Sequence, residues 1–71
     1  MQNGRVRFFN DIVGCGFIES DCEPGVIRFS YREIRKTGYR IVNEGQLVKF
    51  RLVRTSRGPF AVDIIPESDQ Q

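Results

Sequence analysis

Apolar and polar residues alternate in short stretches, and turn-forming residues separate one stretch from the next. Residues 46–54 (QLVKFRLVR) show this most strongly. Val48, Phe50 and Leu52 share one face while Lys49 and Arg51 share the other, the period of a half-buried strand. Residues 26–31 (VIRFSY) repeat the pattern, with Ile27 and Phe29 opposed to Arg28 and Ser30. Three weaker segments read as strands: 5–9 (RVRFF), 15–20 (CGFIES) and 60–65 (FAVDII). Between them lie a turn at 10–14 (NDIVG), a loop at 21–25 broken by Pro24 and Gly25, and a hairpin turn at 55–59 (TSRGP). Residues 31–36 (YREIRK) suffice for one helical turn but not for a packed helix.

Five short strands with one longer connection, 37–45, after the third predict an all-β, five-stranded antiparallel barrel. At most one short helical turn follows strand 3. Closure removes the sheet edges that otherwise invite aggregation. The expected core is Val6, Ile18, Ile27, Phe29, Ile34, Val48, Phe50, Leu52 and Ile64. Residues 1–66 are expected to form the single domain, and 67–71 a polar, frayed tail.

Composition narrows the function. A domain of 71 residues buries only about 60% of its unfolded surface, so its stability margin is thin. Two cysteines, Cys15 and Cys22, are too few for a disulfide framework, and a bridge between them is not expected. Without a histidine, serine–histidine and cysteine–histidine catalysis are excluded. No metal-ligand pattern or paired carboxylates stand out, so no cofactor, metal or small-molecule substrate is expected and the chain reads as a non-enzyme. There is no apolar signal core, which predicts a soluble cytoplasmic protein with no membrane partner. The formal charge is only +2, but nine of the eleven basic residues are arginine. Arginine pairs with phosphate in a bidentate fork and also stacks on planar rings.

Four segments then carry a resemblance: GRVRFFN (4–10), GCGFI (14–18), GYRIVNEGQLVKF (38–50) and RGPFAVDI (57–64). Together they resemble the cold-shock domain, whose pattern runs G-x-V-K-W-F-N, K-G-F-G-F-I, I-F-F-H-Y-S-E-I, E-G-Q-x-V-x-F and a G-P-x-A hairpin. The match spans nearly the whole chain, with one extra residue in the 20–25 loop. Pairing IRFSYREI with the third motif leaves no gap from Ile27 to Ile65, and it keeps Ile27 and Phe29 on the core face as alternation requires. The resemblance implies an oligonucleotide-binding (OB) barrel. Its first three strands would present aromatics to single-stranded RNA or DNA, with basic side chains holding the phosphates.

Residue by residue, the resemblance implies a nucleic-acid-binding set. Phe8 stands at the family's tryptophan, Phe17 at the second ring of the glycine–phenylalanine motif, Tyr31 at a terminal phenylalanine and Tyr39 at the loop aromatic. Phe9 stays aromatic and reads equally as a binding or a core ring. Arg7 and Arg57 occupy basic positions. Three departures lie at the centre of the sheet, where Cys15 and Arg28 replace phenylalanines and Ser30 replaces histidine, and in the 10–14 turn Val13 replaces a common lysine. Arg28 could compensate by stacking on a base or bonding a phosphate. Phe60 adds a ring at the rim or packs in the core, and its shared parity with Val62 and Ile64 points to the core. Cys15 reads as a small filler in a shallow surface rather than as a redox-sensitive thiol.

The function implied is single-stranded nucleic-acid binding of the cold-shock type, as an RNA chaperone or transcription antiterminator. The alternative is a protein-interaction or regulatory barrel with weakened nucleic-acid binding, its docking patch formed by Cys15, Arg28 and Ser30. A monomer is the expected state, and the 37–45 loop offers a hinge for a domain-swapped dimer.

Overall fold

The structure is a computed structural model that describes residues 1–35 and 42–67. Five strands appear in the expected order: β1 (Gln2–Asn10), β2 (Cys15–Ser20), β3 (Glu23–Ser30), β4 (Leu47–Thr55) and β5 (Gly58–Pro66). A three-residue 3₁₀ turn, Tyr31–Glu33, follows β3, and the Ser30 side chain caps it by accepting from the Arg32 amide. Tyr31 therefore opens this turn rather than ending the strand.

The strands close into a barrel in the order β1-β2-β3-β5-β4. Four junctions are antiparallel, and the seam between β3 and β5 is a short parallel contact at Arg28 and Phe60. Inside lie Val6, Ile18, Ile27, Phe29, Ile34, Val42, Val48, Phe50, Ala61 and Ile64. Each large apolar side chain buried this way contributes about 1.5–3 kcal/mol. Leu52, expected in the core, is only half-buried against it, whereas Val42 and Ala61 join it.

Three irregularities decide which side chains face outward. In β1, Val6 opposes Ile18 but Phe8 opposes Phe17, so Arg7 is an extra residue. Strict alternation would turn Phe8 inward with Val6. The bulge instead turns Phe8 out and Phe9 in. In β5, Ile65 opposes Lys49 but Val62 opposes Arg51, which leaves Asp63 and Ile64 facing one residue of β4. Asp63 takes the left-handed conformation (φ 52°) that this bulge requires, and aspartate tolerates it better than most residues. Parity between Phe60 and Ile64 is broken there. Ala61 and Ile64 point inward, and Phe60 points out of the barrel.

The third irregularity lies in the loop expected at 21–25. Strand β3 already begins at Glu23, and Pro24 and Gly25 form a two-residue excursion from the ladder, between the pairs Ser20–Glu23 and Glu19–Val26. Outside the ladder a proline needs no amide partner, and Gly25 adopts a positive φ of 81°.

Candidate nucleic-acid interface

The bulge at Arg7 and the β2–β3 register align one outward row across the barrel. Phe8 on β1 opposes Phe17 on β2, Phe17 opposes Arg28 on β3, and Arg28 opposes Phe60 on β5. The Phe8 and Phe17 rings lie 6.1 Å apart, tilted by 32°. Phe8 remains 42% exposed, so one of the largest apolar side chains of the molecule stands in solvent. Buried rings stabilise a fold. An exposed Phe8 beside a half-buried Phe17 on the outer face of a small domain offers a stacking surface instead.

Gly16 makes this arrangement possible. It sits opposite Phe9, and a Cβ there would collide with the Phe8 carbonyl oxygen and come within 3.0 Å of the Phe29 ring. Phe9 uses the space to stack on Phe29, with centroids 5.8 Å apart and planes 9° from parallel. Half-buried and packed against the core, Phe9 supports the face from below rather than forming it.

At one end of the face Tyr31, 40% exposed, lies over Gly14, where a Cβ would come within 2.6 Å of the ring. The Arg32 guanidinium stands 6.0 Å from the Tyr31 ring centre, within cation–π range. Between Tyr31 and the ring row lies a small, polar step: Cys15 directly opposes Ser30, and Asn10 opposes Cys15. Asn10 accepts from the Ile12 and Val13 amides and so closes the β1–β2 turn, whose tip exposes both apolar side chains. At the other end Arg28, Thr55, Arg57 and Phe60 line a shallow hollow of about 190 Å³. Larger surface hollows lie elsewhere among the described residues, one of about 620 Å³ between the start of β1 and the β2–β3 turn, lined by side chains of both charges.

Charge is distributed unevenly around the barrel. Arg35 and Arg51 both donate to Asp63, at 2.8 Å each, and Arg54 donates to Glu23 at 2.7 Å. Hydrogen bonds from Arg35 and then Arg51 hold the Asp63 carboxyl below its ordinary range, and Arg54 does the same for Glu23. Arg7 donates to Glu19 at 2.6 Å, and this carboxylate raises the guanidinium's affinity for its proton. Among the described residues, by contrast, neither Arg28 nor Arg57 forms an ion pair. Arg28 and Arg57, which line the hollow with Phe60, thus present guanidinium groups without a carboxylate partner among the described residues.

The sequence-expected residues consequently divide. Phe8, Phe17, Arg28 and Phe60 form one row, Arg57 adjoins it through the hollow, and Ser30 and Tyr31 lie beside it. Phe9 lies beneath. Arg7 is at the edge, engaged with Glu19, and Tyr39 falls outside the described residues. Sequence reasoning missed Thr55 and Arg32. Thr55 closes its hairpin by donating to the Gly58 carbonyl and accepting from the Arg57 amide, and a turn threonine carries no signal of a surface role. Arg32 reaches the Tyr31 ring only because the 3₁₀ turn folds it back.

No cluster of three or more metal-ligating side chains occurs among the described residues, and no helix there is long and apolar enough to cross a membrane. A closed five-stranded barrel in the order β1-β2-β3-β5-β4 defines the OB class. Within that class the chain belongs to the cold-shock domain family, a nucleic-acid-binding family: the model described as 'Cold-shock' DNA-binding domain matches residues 2–67. Cold shock protein CspD of Bacillus subtilis is 40% identical over 65 residues, covering 92% of this chain and 97% of the relative. Cold shock-like protein CspD of Haemophilus influenzae is 37% identical over 71 residues, covering 100% and 99%. Cold shock protein CspA of Staphylococcus aureus is 41% identical over 66 residues, covering 92% and 97%. Among solved structures, drosophila Unr CSD456 shares the fold with a TM-score of 0.78 at 18% identity. That match covers 94% of this chain and 26% of the longer one.

Proposed function

We propose that this protein binds single-stranded RNA or DNA on the face of β1–β3, without catalysis, and acts as an RNA chaperone or transcription antiterminator. The observation that carries this reading is the solvent-facing pair Phe8 and Phe17 in line with Arg28 and Phe60, where cations without carboxylate partners flank the rings. Unpaired bases stack on Phe8, Phe17 and Tyr31, with Phe60 adding a ring at the far rim. Each stack is worth about 1–3 kcal/mol and tolerates any base, since every base has a π-face. Arg57 meets phosphate from the hairpin, and Arg7 does so once released from Glu19. Ser30 and the adjoining small side chains leave a shallow step in which the strand can lie.

Holding unpaired bases in this way lowers RNA secondary structure by mass action, with no need for ATP. That effect is the physical basis of a chaperone or antiterminator role. The cytoplasm, where nascent RNA is found, is the corresponding location.

Titration of oligo-dT and oligo-rU heptamers at two salt concentrations tests the reading. Binding is expected at low salt, with log K falling by about 0.7 per log unit of salt for each phosphate neutralised. No binding of any 6–12-mer at low salt would sink it.

A further inference from the structure

The departure of greatest consequence at the centre of the face is the arginine on β3. We infer that Arg28 reads the edge of a base, and that the strand bound here carries a guanine over β3, where a purely stacking platform would be indifferent to base identity. The inference rests on the binding role proposed above and gives it a sequence preference.

Its grounds are positional. Arg28 does not stand at the rim, where phosphates would run. It lies inside the ring row, directly opposite Phe17 on one side and Phe60 on the other. Adjacent strands are about 4.8 Å apart, so a base stacked on Phe17 directs one edge over β3 and meets the guanidinium. The Arg28 side chain is exposed and forms no ion pair with a described residue, so its fork of donors is available. Beyond it, Cys15 and Ser30 are too small to obstruct a two-ring base.

A planar fork of donors selects an edge with two adjacent acceptors. Guanine offers O6 and N7, the pair to which arginine bonds most often in base recognition. Adenine sets an amino donor beside N7, and thymine or uracil sets the N3–H beside O4, so each turns a donor towards the guanidinium. Cytosine has adjacent N3 and O2 acceptors, but its single ring leaves them over Phe17 rather than over β3. A bidentate guanine contact therefore separates the bases where stacking alone does not.

The test uses the whole chain and a set of DNA heptamers. All-dT is compared with heptamers carrying a single dG, dA, dC or 7-deaza-dG at each position in turn, by fluorescence anisotropy. One dG position is expected to tighten binding at least about five-fold over dT. Neither dA nor dC should match that gain, and 7-deaza-dG, which lacks N7, should forfeit most of it. In Arg28→Lys, which keeps the charge but loses the fork, the dG-to-dT ratio should fall towards one. A dG gain absent at every position, equalled by dA or dC, or retained in Arg28→Lys overturns the assignment. Tight dT binding with no dG gain overturns it alone, whereas no binding of any heptamer overturns the proposed function as well. The 7-deaza comparison needs no variant, so the outcome does not depend on how Arg28→Lys folds.

Discussion

Phe8 and Phe17 face each other across β1 and β2 with their rings 6.1 Å apart on the outer side of the barrel, and they do so because Arg7 is an extra residue in β1. Without that bulge Phe8 would turn into the barrel beside Val6. The two rings contribute little to the core, so removing one separates binding from folding. Phe17→Ala is expected to weaken single-strand affinity by about 1–3 kcal/mol while shifting the thermal midpoint by only a few degrees. Isothermal titration and thermal melts of the same sample check both halves.

The opposite separation is expected one layer down. Phe29 is buried and carries Phe9 on its face. Phe29→Ala should cost about 3–5 kcal/mol of stability, much of what a domain of this size possesses. Gly16→Ala should be comparably damaging for a different reason. Its new methyl would meet the Phe8 carbonyl, which is backbone and moves only if β1 and β2 part. Urea unfolding measures both, and a Gly16→Ala protein of unchanged stability contradicts the close packing described.

Much of this layering was legible in the sequence, and the exceptions share a cause. Alternation in residues 26–31 and 46–54 identified Ile27, Phe29, Val48 and Phe50 as inward, and all four are buried. Alternation fails where a strand holds one residue too many, and such a residue leaves no compositional mark. Phe60 and Ile64 share parity on paper, yet Asp63 between them is the extra residue, so one points out and the other in. At Phe8 the family resemblance indicated the outward position that period-two reasoning alone would have reversed. Pro24 and Gly25 read as loop residues, and they do leave the ladder, but as an excursion within β3 rather than as its boundary. Val42 and Ala61 were missed because a small or isolated apolar residue beside a turn carries little periodic signal.

Arg7 offers a test of how charge is held in reserve. Glu19 engages it at 2.6 Å, so in the free protein one basic residue of the face is neutralised. Glu19→Gln should release it. Single-strand binding is expected to tighten at low salt, and the salt slope to steepen by about 0.7, the increment for one further phosphate contact. Tighter binding at an unchanged slope would mean that Arg7 already leaves Glu19 for phosphate in the wild type, and an unchanged affinity and slope would mean that Arg7 takes no part in binding.

Acid should loosen the barrel through Asp63 and Glu23. Hydrogen bonds from arginine lower both carboxyls in the folded state. Their contribution to stability is therefore complete above the unfolded value, about pH 4, and is lost as pH falls through the lower folded values. Urea midpoints should be level between pH 5 and pH 7 and should decline towards pH 3. Asp63→Asn keeps a residue that accepts the left-handed backbone but removes the titrating group, so part of that decline should disappear. The Asp63 side chain is one-third exposed and that of Glu23 only 13%, so added salt should shrink the Asp63 share more than the Glu23 share. A decline of the same size in Asp63→Asn would place the acid sensitivity elsewhere.

The most direct examination is amide chemical-shift mapping as an oligo-dT heptamer is added at low salt. The largest changes are expected at Phe8, Phe17, Arg28 and Phe60, continuing to Tyr31, while amides around Asp63 and the Arg35 and Arg51 ion pairs stay still. Changes concentrated on that ion-paired side, or none at any residue, would contradict binding on the ring row.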